Sequence, residues 1–108
     1  MANAKSKRAP FPRSCDYTKA FRKDYERLSR SGRFDLNRLK EAMLLLVAND
    51  APLAPEWFDH PLKGEWSGFR ECPIGGDFLL IYEGDDQGQK GGTIVFTRAG
   101  THADLFRE

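Results

Sequence analysis

The stretch WSGFRECPIGGDFLLIYE, residues 66–83, decides the fold. Phe78, Leu79, Leu80, Ile81 and Tyr82 form an unbroken apolar run between glycines, which reads as a strand covered on both faces. Residues 66–72 read as the strand before it, and 73–76 as the turn joining the two into a hairpin. A third strand is predicted at 92–98, GTIVFTR, reached through the polar loop 84–92. Upstream, the apolar period changes to that of a helix. Tyr17, Phe21, Tyr25 and Leu28 predict one helix, with Asp16 as its cap and Gly32 as its stop. Leu36, Leu39, Met43, Leu46 and Val47 predict a second behind Asp35, and the short joint at 31–34 makes the pair an antiparallel hairpin. Residues 51–64 carry three prolines and form a loop, with Trp57, Phe58 and Leu62 expected to pin it to the core. An extended stretch at 11–15 would add only an edge strand, because Pro12 cannot donate to a ladder.

These elements amount to one α+β domain over residues 14–108: two N-terminal helices packed on a small antiparallel sheet, then a short C-terminal turn or helix. Residues 1–13 read as a flexible basic tail. A chain of 108 residues with 40% hydrophobic and 31% charged content has room for one modest core. No apolar run approaches the roughly 20 residues that span a bilayer, and the basic N-terminus lacks the apolar segment of a secretory signal. Cys15 and Cys72 stand far apart with no histidine beside them, which favours reduced thiols in a cytoplasm over a disulfide or a zinc site. No metal and no cofactor are expected, since neither a ligand cluster nor a phosphate-binding glycine loop is present.

The formal net charge of +1 conceals a division. Residues 1–40 hold 12 Lys and Arg against 4 Asp and Glu, whereas residues 41–108 hold 5 against 12. The basic half suits an anionic partner, or it is simply a pair of solvated helix faces. Arg22, Lys23 and Arg27, off the apolar stripe of the first helix, are the candidate contacts.

Four polar residues of the second half could converge. Asp77 opens the central strand, Arg98 closes the last one, His102 begins the closing turn, and His60 comes from the proline-rich loop. Two imidazoles, a carboxylate and a guanidinium suit cleavage of an RNA phosphodiester, in which the 2′-hydroxyl loses a proton, the 5′-oxygen gains one and the phosphorane gathers charge. Arginine's fork matches phosphate oxygens, and Phe78 or Phe106 could stack a base. Each residue also has a plainer role. His60 could bond a loop carbonyl, His102 could steady the terminal turn, Asp77 could make an Asx turn, Arg98 could pair with Asp104, and the phenylalanines could be core.

The blocks DHPLKGEWSGFRECPIGGDFLLIYE and FTRAGTHADLF change this balance, for they resemble the YafQ branch of the RelE/ParE toxin superfamily. The pattern is D-H-x-L-x-G-x-W-x-G-x-R-E, an Asp before an apolar strand ending in Ile-Tyr, then R-x-G-[ST]-H-x-x-L-F. The likeness covers roughly residues 15–107. It implies the α+β fold derived above, an mRNA-cleaving toxin working in the ribosomal A site, and an antitoxin partner whose disordered segment folds across the active face. By motif, His60, Asp77 and His102 correspond to acid–base groups, Arg98 to the phosphate-binding arginine and Phe106 to the C-terminal aromatic. One position departs: the resemblance implies a histidine where Pro73 stands. A proline side chain cannot carry a proton, so the sequence implies a weakened ribonuclease. The alternatives are a non-catalytic binder, either a degenerate toxin or a gyrase inhibitor of the ParE kind.

Overall fold

A computed structural model describes residues 13–48, 53–84 and 92–106. The chain enters through β1 (Ser14–Tyr17), forms α1 (Lys19–Ser31) and α2 (Leu36–Ala48), and passes through a single 3-10 turn at Pro55–Trp57. A two-residue β2 (His60–Pro61) and a second 3-10 turn (Gly64–Trp66) lead to β3 (Arg70–Gly75), β4 (Phe78–Gly84), β5 (Thr93–Thr101) and the short α3 (His102–Phe106). The sheet runs β1-β5-β4-β3-β2. β1 pairs parallel with β5 and the other neighbours are antiparallel, so the sheet is mixed where the sequence predicted antiparallel pairing alone. Residues 1–12, which hold nearly all of the predicted basic tail, and 85–91 of the β4–β5 loop lie outside the described residues.

The central strand is covered on both faces, as its unbroken apolar run requires. Phe78, Leu80 and Tyr82 face the helices and join Phe21, Leu28, Leu39, Leu46, Ile94 and Phe96 in the main core. Leu79 and Ile81 face the other way and meet Leu105 of α3, flanked by Leu62, Trp66, Phe69 and Phe106. This second, thinner layer carries the chemistry.

Local chemistry explains where the elements begin and end. Thr18, not Asp16, caps α1: its hydroxyl oxygen accepts from Phe21 N at 2.9 Å while donating to the Thr97 carbonyl at 2.8 Å, tying the helix start to β5. Asp16 and Tyr17 belong instead to β1, and Tyr17 is exposed. Gly32 closes α1 at φ 69°, a left-handed turn that glycine adopts without a Cβ clash. Asp35 caps α2 as predicted, accepting from Arg38 N at 3.0 Å. The β3–β4 turn is tighter than 73–76, because Pro73, Ile74 and Gly75 remain in β3 and the chain reverses through Gly76 at φ 56°. Pro73 is tolerated there since β2 pairs only with Arg70 and Glu71, leaving the strand edge beyond them open.

Of the three expected anchors of the proline-rich loop, Trp57 and Leu62 pack against the core and Phe58 does not. Trp57 is buried beneath Arg38, whose guanidinium carbon lies 4.0 Å from the ring centroid. Phe58 is 72% exposed and does not pin the loop. Asp59 does so: the Tyr82 hydroxyl donates to its carboxylate at 2.7 Å and Arg70 Nε donates at 3.3 Å. Burial and the Asp59 carboxylate push the Tyr82 phenol well up, so it remains a donor. The loop therefore delivers the next residue, His60, to a fixed place at the sheet edge.

Candidate active site

Strand register builds the site. His60 pairs with Glu71, Glu71 with Ile81, and Ile81 with Arg98, so these four residues stand in one row across the sheet, Glu71 and Ile81 facing away from the helices and the Arg98 head turned at the outer edge of β5 to Asp24 of α1. A bulge at Thr97 sets the last member of the row, since Ile81 pairs with Arg98 while Tyr82 pairs with Phe96. Without that extra residue, Thr97 would occupy Arg98's place; bulges commonly re-aim a side chain in this way. β5 also runs three residues past Arg98, to Thr101, so the arginine lies within the sheet and not at its end beside Asp77.

His102 leads α3, whose start is held by a reciprocal cap. Asp104 N donates to Thr101 Oγ1 at 3.1 Å, and Thr101 N donates to Asp104 Oδ2 at 3.2 Å. His102 Nδ1 lies 2.5 Å from Asp77 Oδ1, and its Nε2 lies 3.6 Å from Glu71 Oε2. The hydrogen bond from His102 holds the Asp77 carboxyl below its ordinary value. An ionised carboxylate only accepts, so Nδ1 carries the proton and Nε2 is the atom free to exchange one. His60 has the same arrangement in mirror form. Its Nδ1 donates to the Phe58 carbonyl at 2.7 Å, and its Nε2 lies 3.8 Å from Glu71 Oε1. Two imidazoles thus present their Nε2 atoms to opposite oxygens of one buried carboxylate.

Of the residues singled out in the sequence, His60 and His102 flank Glu71, Asp77 holds His102 from its other side, and Arg98 stands in the row of His60 and Glu71 without bonding to any of them. Phe106 lies beside the site, its ring 5.8 Å from that of His102 and 5.6 Å from Trp66. Phe78 is a correction: it is buried on the helix face against Phe34, where no base can stack on it. Arg22 pairs with Glu26 on the outer side of α1, and Lys23 is exposed. Arg27 is half committed, to Asp24 at 3.2 Å and Asp104 at 3.6 Å. Arg98 pairs with Asp24, not with Asp104.

Glu71 and Asp24 are the residues that sequence reasoning passed over. Glu71 stands inside the quoted R-E motif. Asp24 lies between Phe21 and Leu28 on the buried stripe of α1, and a carboxylate on an apolar stripe signals a buried cation partner. Burial alone would raise Asp24, but hydrogen bonds from Arg98 and Ala99 N outweigh it and hold the carboxyl below its ordinary value. A carboxyl lowered on folding stabilises the fold above its unfolded value, about 3.9, and that stability is lost as pH falls through the lower folded value. The melting temperature is therefore expected to drop steeply below about pH 4, and less steeply in Asp24→Asn. Equal slopes in the two proteins would contradict this.

Cys72 is buried, and burial with the nearby Asp59 carboxylate pushes its thiol up to about 12, so it is no nucleophile at neutral pH. Among the described residues no three His, Cys, Asp or Glu side chains are placed to hold a metal ion.

The profile of a family described as the bacterial toxin of type II toxin–antitoxin system, YafQ, matches residues 13–107. The chain belongs to the YafQ toxin family. The mRNA interferase toxin YafQ of Escherichia coli K12 is 38% identical over 94 residues, covering 87% of this chain and 96% of that protein. The crystal structure of YafQ from E. coli BL21(DE3) superposes with a TM-score of 0.75 at 37% identity, over 87% of this chain and 98% of that one. YafQ in the E. coli DinJ–YafQ toxin–antitoxin complex gives 0.74 at 38% identity, over 89% and 99%. The mixed five-stranded sheet with three helices is thus the fold of the YafQ toxins.

Proposed function

We propose that this YafQ-family chain is the toxin of a type II toxin–antitoxin pair and cuts mRNA on the ribosome. The observation that carries this reading is the pair of imidazole Nε2 atoms facing Glu71 in one row with Arg98. One imidazole takes the proton of the 2′-hydroxyl, whose oxygen attacks the adjacent phosphorus. The other gives its proton to the departing 5′-oxygen, leaving a 2′,3′-cyclic phosphate and a 5′-hydroxyl. Arg98, two strand spacings or about 10 Å from Glu71 along the row, holds the charge of the phosphorane. Glu71 stands between the two imidazoles, one carboxylate oxygen toward each Nε2. Asp77 and the Phe58 carbonyl keep the two rings in the tautomer that exposes Nε2. Phe106 offers an aromatic face beside His102 for a base splayed from the message.

The exposed Arg22 and Lys23 on α1 suit ribosomal RNA, a contact weakened by salt. A cognate antitoxin, with a segment that orders on binding, silences the toxin in the cytoplasm, where Cys15 and Cys72 remain thiols.

Pro73 favours one competing reading. It occupies the same face of β3 as Glu71, two residues along, so a histidine there would join the imidazole pair. A degenerate toxin would bind its antitoxin and cut nothing. Single-turnover cleavage of a reporter message on purified ribosomes separates the two. Wild type is expected to cut, and Pro73→His to cut about 10²-fold faster, the low side of what one acid–base group contributes. Equal rates would show that position 73 is dispensable. No cutting by either protein would contradict the ribonuclease and leave the binder.

A further inference from the structure

We infer that Asp24, on the first helix and outside every motif of the second half, is the positioning residue for Arg98. β1 pairs with β5 only as far as Phe96, so the outer edge of β5 is open at Ala99. The Asp24 carboxylate fills that gap. Its Oδ2 accepts from Ala99 N at 3.1 Å and from Arg98 Nε at 2.7 Å, while Oδ1 accepts from Arg98 Nη2 at 3.1 Å and from Arg27 Nη2 at 3.2 Å. One buried carboxylate with four donors leaves the arginine head little freedom, because the two-point fork fixes the guanidinium plane as well as its place. The held edge is Nε and Nη2; Nη1 has no partner among the described residues and remains for a phosphate oxygen.

The same contacts exclude a competing role. A carboxylate that merely blocked the phosphate site would have to leave when substrate arrived. Asp24 cannot leave without stripping Ala99 N of its acceptor and exposing its own charge inside the helix–sheet interface. A phosphate approaching Nη1 meets a guanidinium already oriented, so no ordering of a long side chain is needed at the moment of reaction.

The role rests on the reading of Arg98 as the phosphate-binding group, so Arg98→Ala is the control. With wild type, Asp24→Asn, Asp24→Glu, Arg98→Ala and the double variant D24N/R98A, single-turnover cleavage is measured against ribosome concentration. Asp24→Asn is expected to cut about 10- to 100-fold more slowly at saturation, with an unchanged half-saturating ribosome concentration. Asp24→Glu is expected to recover part of the rate, and the double variant to be no slower than R98A. A D24N rate at or above wild type, or losses that multiply in the double variant, would overturn the proposal. An R98A protein as fast as wild type would instead overturn the reading of Arg98. A measurement on the unaltered protein guards against misfolding of D24N: by NMR, the Arg98 Nε proton is expected to exchange with water more slowly than that of exposed Arg30. Equally fast exchange would show that Asp24 does not hold the arginine.

Discussion

Replacing His102 by alanine is expected to slow message cleavage about 10²- to 10⁴-fold, the range for losing a positioned acid–base group. The fold should survive the change. The imidazole is 55% exposed, its partner Asp77 is exposed, and α3 is anchored independently by Leu105 and the Thr101–Asp104 cap. An exposed pair of this kind contributes little to stability, so the melting temperature should barely move. Loss of rate without loss of stability is the mark of a group that acts on substrate. A His102→Ala protein that melts like wild type and still cuts at its rate would remove the imidazole from the mechanism.

Arg98→Ala is expected to lower both properties. Removing a preorganised donor from a developing charge costs about 10²–10³ in rate. It also strands Asp24, a buried carboxylate deprived of its two-point partner, which costs on the order of 3–5 kcal/mol. Arg98→Lys separates the effects: it restores the charge beside Asp24 but not the planar fork. Its stability should return most of the way while its rate remains low. If the lysine variant restored the rate fully, fork geometry would be irrelevant and a simple positive charge would suffice.

The architecture was largely legible in the sequence, for reasons that particular elements make plain. β4 declared itself through five apolar residues in a row, and the structure covers both of its faces. The helix stripes, Gly32 and Asp35 were readable because spacing and capping are local. What escaped was non-local. Thr18 outcompeted Asp16 as the α1 cap because it can also bond the Thr97 carbonyl of a strand 79 residues away. β1 pairs parallel with β5, a choice that nothing within Ser14–Tyr17 specifies. Phe58 was read as an anchor by its apolarity, yet Asp59 holds the loop through Tyr82 and Arg70. In the candidate site the motif residues Asp77 and His102 came together, but Glu71, the partner that His60 and His102 share, emerged only from the folded sheet. The place of Arg98 depends on a one-residue bulge that no local pattern announces, and its anchor Asp24 comes from the opposite end of the chain.

The central claim is that two imidazoles and a guanidinium cut RNA through the message's own 2′-hydroxyl. The most direct measurement is the chemistry of the ends formed when purified wild-type protein meets ribosomes carrying a defined message. The expected result is a 2′,3′-cyclic phosphate on the upstream fragment and a 5′-hydroxyl on the downstream one. An intact message, or a downstream fragment bearing a 5′-phosphate, would contradict it.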